Sequence, residues 1–150
     1  MMEKRVGERN ERIAQRQAMR LLSKSIAHCS AWLCASILTA EEYPSLGERM
    51  EMLAEREAKS VRALGRMMLR EGWNFPVSRL LQTGRGQCPA LFTAKGRDLR
   101  AFLGQMQKES EGMERELEEL FSVCQWDGEQ TSLLRENGQC RLEEIKQMLS

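Results

Sequence analysis

In "MEMLAEREAKSVRALGRMM", residues 50–68, apolar side chains recur at Met50, Leu53, Val61, Leu64 and Met68, and Glu57 falls in the gap of that stripe. A carboxylate on the buried face of a helix needs a cation, a metal ion or hydrogen-bond donors. Without one it loses its hydration and takes up a proton. Partners for a metal are scarce. The only histidine is His28, and the five cysteines, Cys29, Cys34, Cys88, Cys124 and Cys140, contain no CxxC pair. That set argues against a zinc site of Cys and His. His28 stands beside the apolar stripe of its own helix, where packing is the simpler role than ligation. Met50, Met68, Met106, Met113 and Met148 occur at core spacing, and Cys29 and Cys124 lie on the same stripes as small apolar fillers. Cys88, just before Pro89, is expected to be the most exposed thiol, but no neighbouring base would activate it as a nucleophile.

A second group of candidate residues is basic. The segment "SRLLQTGRGQCPALFTAKGR" carries Arg79, Arg85, Lys95 and Arg97 and no acidic residue. Backbone amides in "TGRGQ" are of a kind that cradles phosphate, which makes this a candidate anion-binding loop. It lacks the Gly-Lys-Ser/Thr ending and the strand–helix setting of a P-loop, so a solvated basic loop is the simpler reading. Residues 4–24 carry seven basic and two acidic charges, whereas "KESEGMERELEELF" is strongly acidic. Pairing between these segments, across the molecule or between subunits, would favour a homo-dimer or other homo-oligomer.

The elements that must position these groups are helices. The chain has 150 residues, 41% hydrophobic, 30% charged and only 5% aromatic, with net charge +1. This is a single-domain length, a helix-favouring composition, and a charge that gives no global field for nucleic acid or an anionic membrane. The prolines, Pro44, Pro76 and Pro89, fall outside the periodic segments. Helices are expected over about 8–39, 45–71, 98–124 and 130–149, with a crossover over 72–97. The first carries the stripe Leu22, Ile26, Cys29, Leu33 and Ile37. The third runs from Leu99 through Phe102, Leu103, Met106, Met113, Leu117, Leu120 and Phe121 to Cys124, broken at Ser110. The fourth has Leu134, Ile145 and Met148, with Asn137, Gly138 and Arg141 on the same face. Four such stripes imply an all-α four-helix bundle, its two hairpins joined by a connection long enough to let helices two and three run parallel. The uncharged run "SIAHCSAWLCASIL" has 14 residues, fewer than the ~18–20 of a membrane span. No export signal is read, so reduced thiols and a cytoplasmic location are expected.

This plan, with its "GWNFP" close of helix two, third-helix opening "GRDLRAFLGQM" and final helix "LLRENGQCRLEEIKQML", resembles the ferritin-like superfamily, bacterioferritins and their relatives, from about Arg12 to Leu149. The resemblance implies two metal ions held by a glutamate from each of two helices and a Glu-x-x-His from each of the others. Glu57 matches one of those glutamates, but Ser60 stands where a histidine would follow. The helix-three glutamate position falls at Ser110, and the helix-four pair falls at Gly138 and Arg141. In helix one the expected glutamate falls among Leu22, Ser25 and Ile26. The resemblance therefore implies a bundle without metal or other cofactor, in which Glu57, Ser60, Ser110 and Arg141 form a core polar network. A Glu57–Arg141 ion pair supported by Ser110 would be its centre.

The functional expectation is a metal-free ferritin-like bundle serving as a binding or assembly module; the sequence leans against an enzyme without deciding the point. The alternatives are a di-metal oxidoreductase or metal-storage protein whose ligands lie in another register, and a small helical adaptor or effector unrelated to ferritins.

Overall fold

A computed structural model describes residues 2–74 and 96–150, and nothing of side chains for 2–8 and 96–98. Among the described residues there are four helices and no strand: α1 Met2–Thr39, α2 Pro44–Arg70, α3 Gly96–Cys124 and α4 Glu129–Leu149. The starts differ slightly from expectation. α1 begins six residues before Glu8, because its polar opening lacks an apolar stripe but holds good helix formers. α2 begins at Pro44 itself, whose fixed φ suits a first helical position where no amide donor is needed.

Burial follows a repeat of alternating threes and fours on every helix. On α1 the buried positions are Ala14, Ala18, Leu21, Ser25, His28, Trp32, Ala35 and Thr39. α2 buries Met50, Leu53, Glu57, Ser60, Leu64 and Met67, and α3 Leu103, Met106, Ser110, Met113, Leu117 and Leu120. α4 buries Thr131, Leu134, Gly138, Arg141 and Ile145. This is the spacing of bundle helices packed at a shallow angle. It corrects the α1 stripe drawn from the large aliphatics. Leu33 and Ile37 are 48% and 67% exposed, while small and polar residues face inward. Short side chains let α1 and α2 approach closely: Gly47 leaves so little room that a Cβ there would stand 3.0 Å from Ala40 Cα.

α1 packs against α2 and α3, and α4 packs against the same two. Cys29 Sγ contacts the Ala54 carbonyl and Thr39 meets Met50, so α1 and α2 run antiparallel. Lys24 pairs with Glu116 at 3.2 Å and His28 meets Glu109, so α1 and α3 are antiparallel as well. Arg49–Glu144 at one end and Asn137–Ser60 further along give α4 the opposite sense to α2.

Two helix ends are built alike. After α2, Gly72 has φ 80°, its amide bonds Leu69 O, and the Trp73 amide bonds Met68 O at 3.1 Å. After α3, Gln125 has φ 53° and the Trp126 amide bonds Phe121 O at 3.0 Å. Both are left-handed caps closed by a 6→1 bond. The tryptophans that follow them meet, with ring centroids 5.7 Å apart. Trp126 also donates to Glu71 at 2.8 Å.

The apolar core falls into two clusters. One gathers Leu21, Leu64, Met68, Met113, Leu120 and Leu134 around the tryptophan end. The other gathers Trp32, Met50, Leu53, Met106 and Ile145. Between them, on all four helices, the inward positions are polar.

An 18-residue window within Arg9–Thr39 reaches a mean hydropathy of 1.3, long and apolar enough to cross a membrane by length and composition, and 56% of it is buried in the bundle. The 14-residue uncharged run stops at Lys24, whereas a span tolerates one such charge and reaches back over it to Leu22 and Leu21.

Candidate functional site

The polar band holds the site. Its inward repeat brings Ser25 and His28 from α1, Glu57 and Ser60 from α2, Ser110 from α3, and Gly138 and Arg141 from α4 to the middle of the bundle, all buried. Each stands where the three-and-four spacing would otherwise place a leucine or methionine.

Arg141 organises the band. Its Nη1 donates to Glu57 Oε2 at 2.5 Å, and both side chains are about 5% exposed or less. Its Nη2 donates to Glu114 Oε1 at 3.1 Å. One planar guanidinium therefore spans two carboxylates on two different helices, which a lysine could not do with the same geometry. The balance is two negative charges to one positive. Burial pushes the Glu114 carboxyl above its ordinary range. Arg141 opposes that shift, and the charges of Glu57 and Glu118 add to it.

Ser60 joins through α4 as well: Asn137 Nδ2 donates to Ser60 Oγ at 3.0 Å and to the Arg56 carbonyl at 3.2 Å. Ser110 differs from expectation. It is fully buried, but among the described residues its hydroxyl makes no hydrogen bond with the Glu57–Arg141 pair or with any other group. The third member from α3 is Glu114, one turn further along.

Periodicity did not point to Glu114, because it follows Met113 and lies just off the apolar stripe. What admits it is Gly138. A Cβ at that position would overlap the Glu114 carboxylate, so the glycine is the notch through which the side chain reaches Arg141. An isolated glycine inside a helical pattern was the available signal.

His28 sits on the α1–α3 seam. Its Nε2 lies 3.2 Å from Glu109 Oε2. This contact, ahead of the opposing effect of burial, holds the Glu109 carboxyl below the usual range. Cys29, facing α2, has its thiol pushed up by burial first and by the charge of Glu57 second.

The donor set does not fit a di-metal centre. Among the described residues no group of three or more His, Cys, Asp or Glu is placed to hold a metal ion. The two carboxylates nearest the centre are engaged by a permanent cation, Ser60 is bonded to Asn137, and Gly138 offers no side chain. Through Arg141, Glu57 and Glu114 the band ties α2, α3 and α4 together.

The candidate anion-binding loop lies outside the described residues at Arg79, Arg85 and Lys95, and Arg97 falls in the first turn of α3. A separate open cleft of about 430 Å³ at the tryptophan end is lined by Met67, Arg70, Glu71, Trp126 and the start of α4. Its single arginine is offset by Glu71, Asp127 and Glu129.

No family model, curated protein or solved structure matches this chain.

Proposed function

We propose that this chain is a ferritin-like bundle in which an arginine-centred ion network stands in place of a di-metal centre, and that it serves in the cytoplasm as a binding or assembly module. The observation that carries this reading is the position of Arg141: a buried cation between Glu57 and Glu114, in the polar band where the family's ligands would converge. A guanidinium there supplies the positive charge that metal ions would bring, and it repels them. The helix directions support the same reading over an unrelated adaptor. α2 and α3 both end at the tryptophan pair, so they run the same way, as the second and third helices of ferritin-like bundles do.

With redox chemistry unsupported by the donor set, surface becomes the functional asset. Leu33, Ile37 and Leu38 on the outer side of α1, with Met52 on α2, are 45–67% exposed. Exposed apolar residues on neighbouring turns favour association, in keeping with a homo-oligomer. Iron analysis after aerobic loading tests the reading. Iron well below one ion per chain and no ferroxidase turnover above a blank are expected; near-stoichiometric iron with turnover would establish the oxidoreductase or storage alternative instead.

A further inference from the structure

Among the described residues, four polar atoms of nearly fully buried side chains in the central band have no hydrogen-bond partner, one from each helix: His28 Nδ1, Glu57 Oε1, Ser110 Oγ and Arg141 Nε. Glu109 Oε2, on a partly exposed side chain beside His28, is a further acceptor. The residues of the four are 0–4% exposed, so bulk solvent does not satisfy them. Contacts place them at one level. Glu57 and Arg141 touch, His28 meets Glu109 beside Ser110, and Cys29 beside His28 contacts Ala54, one turn from Glu57. A further donor, Trp32 Nε1, is also without a partner one turn along α1.

Leaving one such group unmet costs roughly 1–3 kcal/mol, and native interiors leave very few. The chemistry of the four atoms defines what would meet them. Arg141 Nε only donates and Glu57 Oε1 only accepts. Ser110 Oγ does both, and His28 Nδ1 accepts when the proton is on the nitrogen facing Glu109. A metal cation is opposed by the guanidinium. An anion is opposed by Glu57 and Glu114. The complement is a small neutral molecule that donates and accepts at once.

We infer that the centre of the bundle is an internal water site, held by His28, Glu57, Ser110 and Arg141. Buried waters make about three hydrogen bonds each, so the four atoms, with Trp32 at the edge, correspond to about one or two waters. The site does not depend on ferritin ancestry. It follows from four helices each turning at least one unmatched polar atom inward.

A crystal structure at a resolution that shows ordered water tests the inference directly. Density within hydrogen-bond distance of at least three of the four atoms is expected. Water-¹⁷O relaxation dispersion on the full chain in solution provides the second readout. The Glu57→Leu/Arg141→Met double variant removes two of the four atoms, so its slow-exchange step should be smaller by about one or two waters. The inference is overturned if the four atoms pair directly with one another, if the band is dry, or if the folded double variant keeps the full step. Metal-ion density in the band would overturn it and the proposed function together, whereas a dry band leaves the proposed function standing.

Discussion

At the residue scale, what needs explaining is two carboxylates around one arginine. Arg141 is held by Glu57, which is buried, and by Glu114, whose side chain keeps 20% of its surface exposed. The carboxylates are therefore not equivalent. Glu114 has its carboxyl raised above the ordinary 4.5, chiefly by burial, so the folded state binds that proton more tightly than the unfolded chain does. Its contribution to stability is fullest below the unfolded value and is lost as pH rises through the folded one. Glu114→Gln removes the ionisation and keeps the shape. The variant should gain stability relative to the parent as pH climbs from 4 toward 7, read by urea denaturation across that range. A gap that widens in the opposite direction would mean that Arg141 outweighs burial at this site. The inward positions of Glu57 and Arg141 are legible in the sequence because both interrupt a periodic stripe. Glu114 is not, since its entry depends on a missing side chain on another helix.

At the element scale, the caps and the α1 face show what pattern can and cannot reveal. The end of α2 is legible because Gly72 supplies the positive φ that the left-handed cap requires. The matching cap on α3 is hidden, because a glutamine adopts that conformation at Gln125. A non-glycine residue there carries a backbone strain of roughly 1–2 kcal/mol, partly offset in glycine by chain entropy. Gln125→Gly should therefore stabilise the protein by roughly 0.5–1 kcal/mol, visible as a higher denaturation midpoint with unchanged slope. A loss of stability would mean that the Gln125 side chain contributes more than its backbone costs. The α1 face was misread for a different reason. Large aliphatics normally mark the core, but the tight α1–α2 approach at Gly47 selects alanine and serine inside and leaves Leu33 and Ile37 outside.

At the scale of the whole molecule, two apolar clusters flank a polar middle. Stability thus depends on the ion network as well as on apolar burial. The thiols report how closed this arrangement is. Among the described cysteines Cys34 is exposed, while Cys124, half-buried, has its thiol pushed up to about 11, first by burial and then by Glu71 and Glu11. Since the thiolate is the reacting form, at pH 8 only about a thousandth of Cys124 is reactive. Cys88, expected to be the most exposed thiol, lies outside the described residues; among the described cysteines, alkylation followed by mass spectrometry should label Cys34 first and Cys124 far more slowly. Equal rates would mean that the tryptophan end opens readily. The central claim, that Arg141 is the cation holding the middle of the bundle together, is tested most directly by a double-mutant cycle read by chemical denaturation. Arg141→Met strands two carboxylates and should cost on the order of 3–5 kcal/mol. Glu57→Leu should cost less, because Arg141 keeps Glu114. The double variant should recover much of the loss, with a coupling on the order of 1–3 kcal/mol, since Glu114 can turn to solvent and the apolar pair fills the gap. Strictly additive losses would contradict the account, because two side chains that share a buried ion pair cannot be energetically independent.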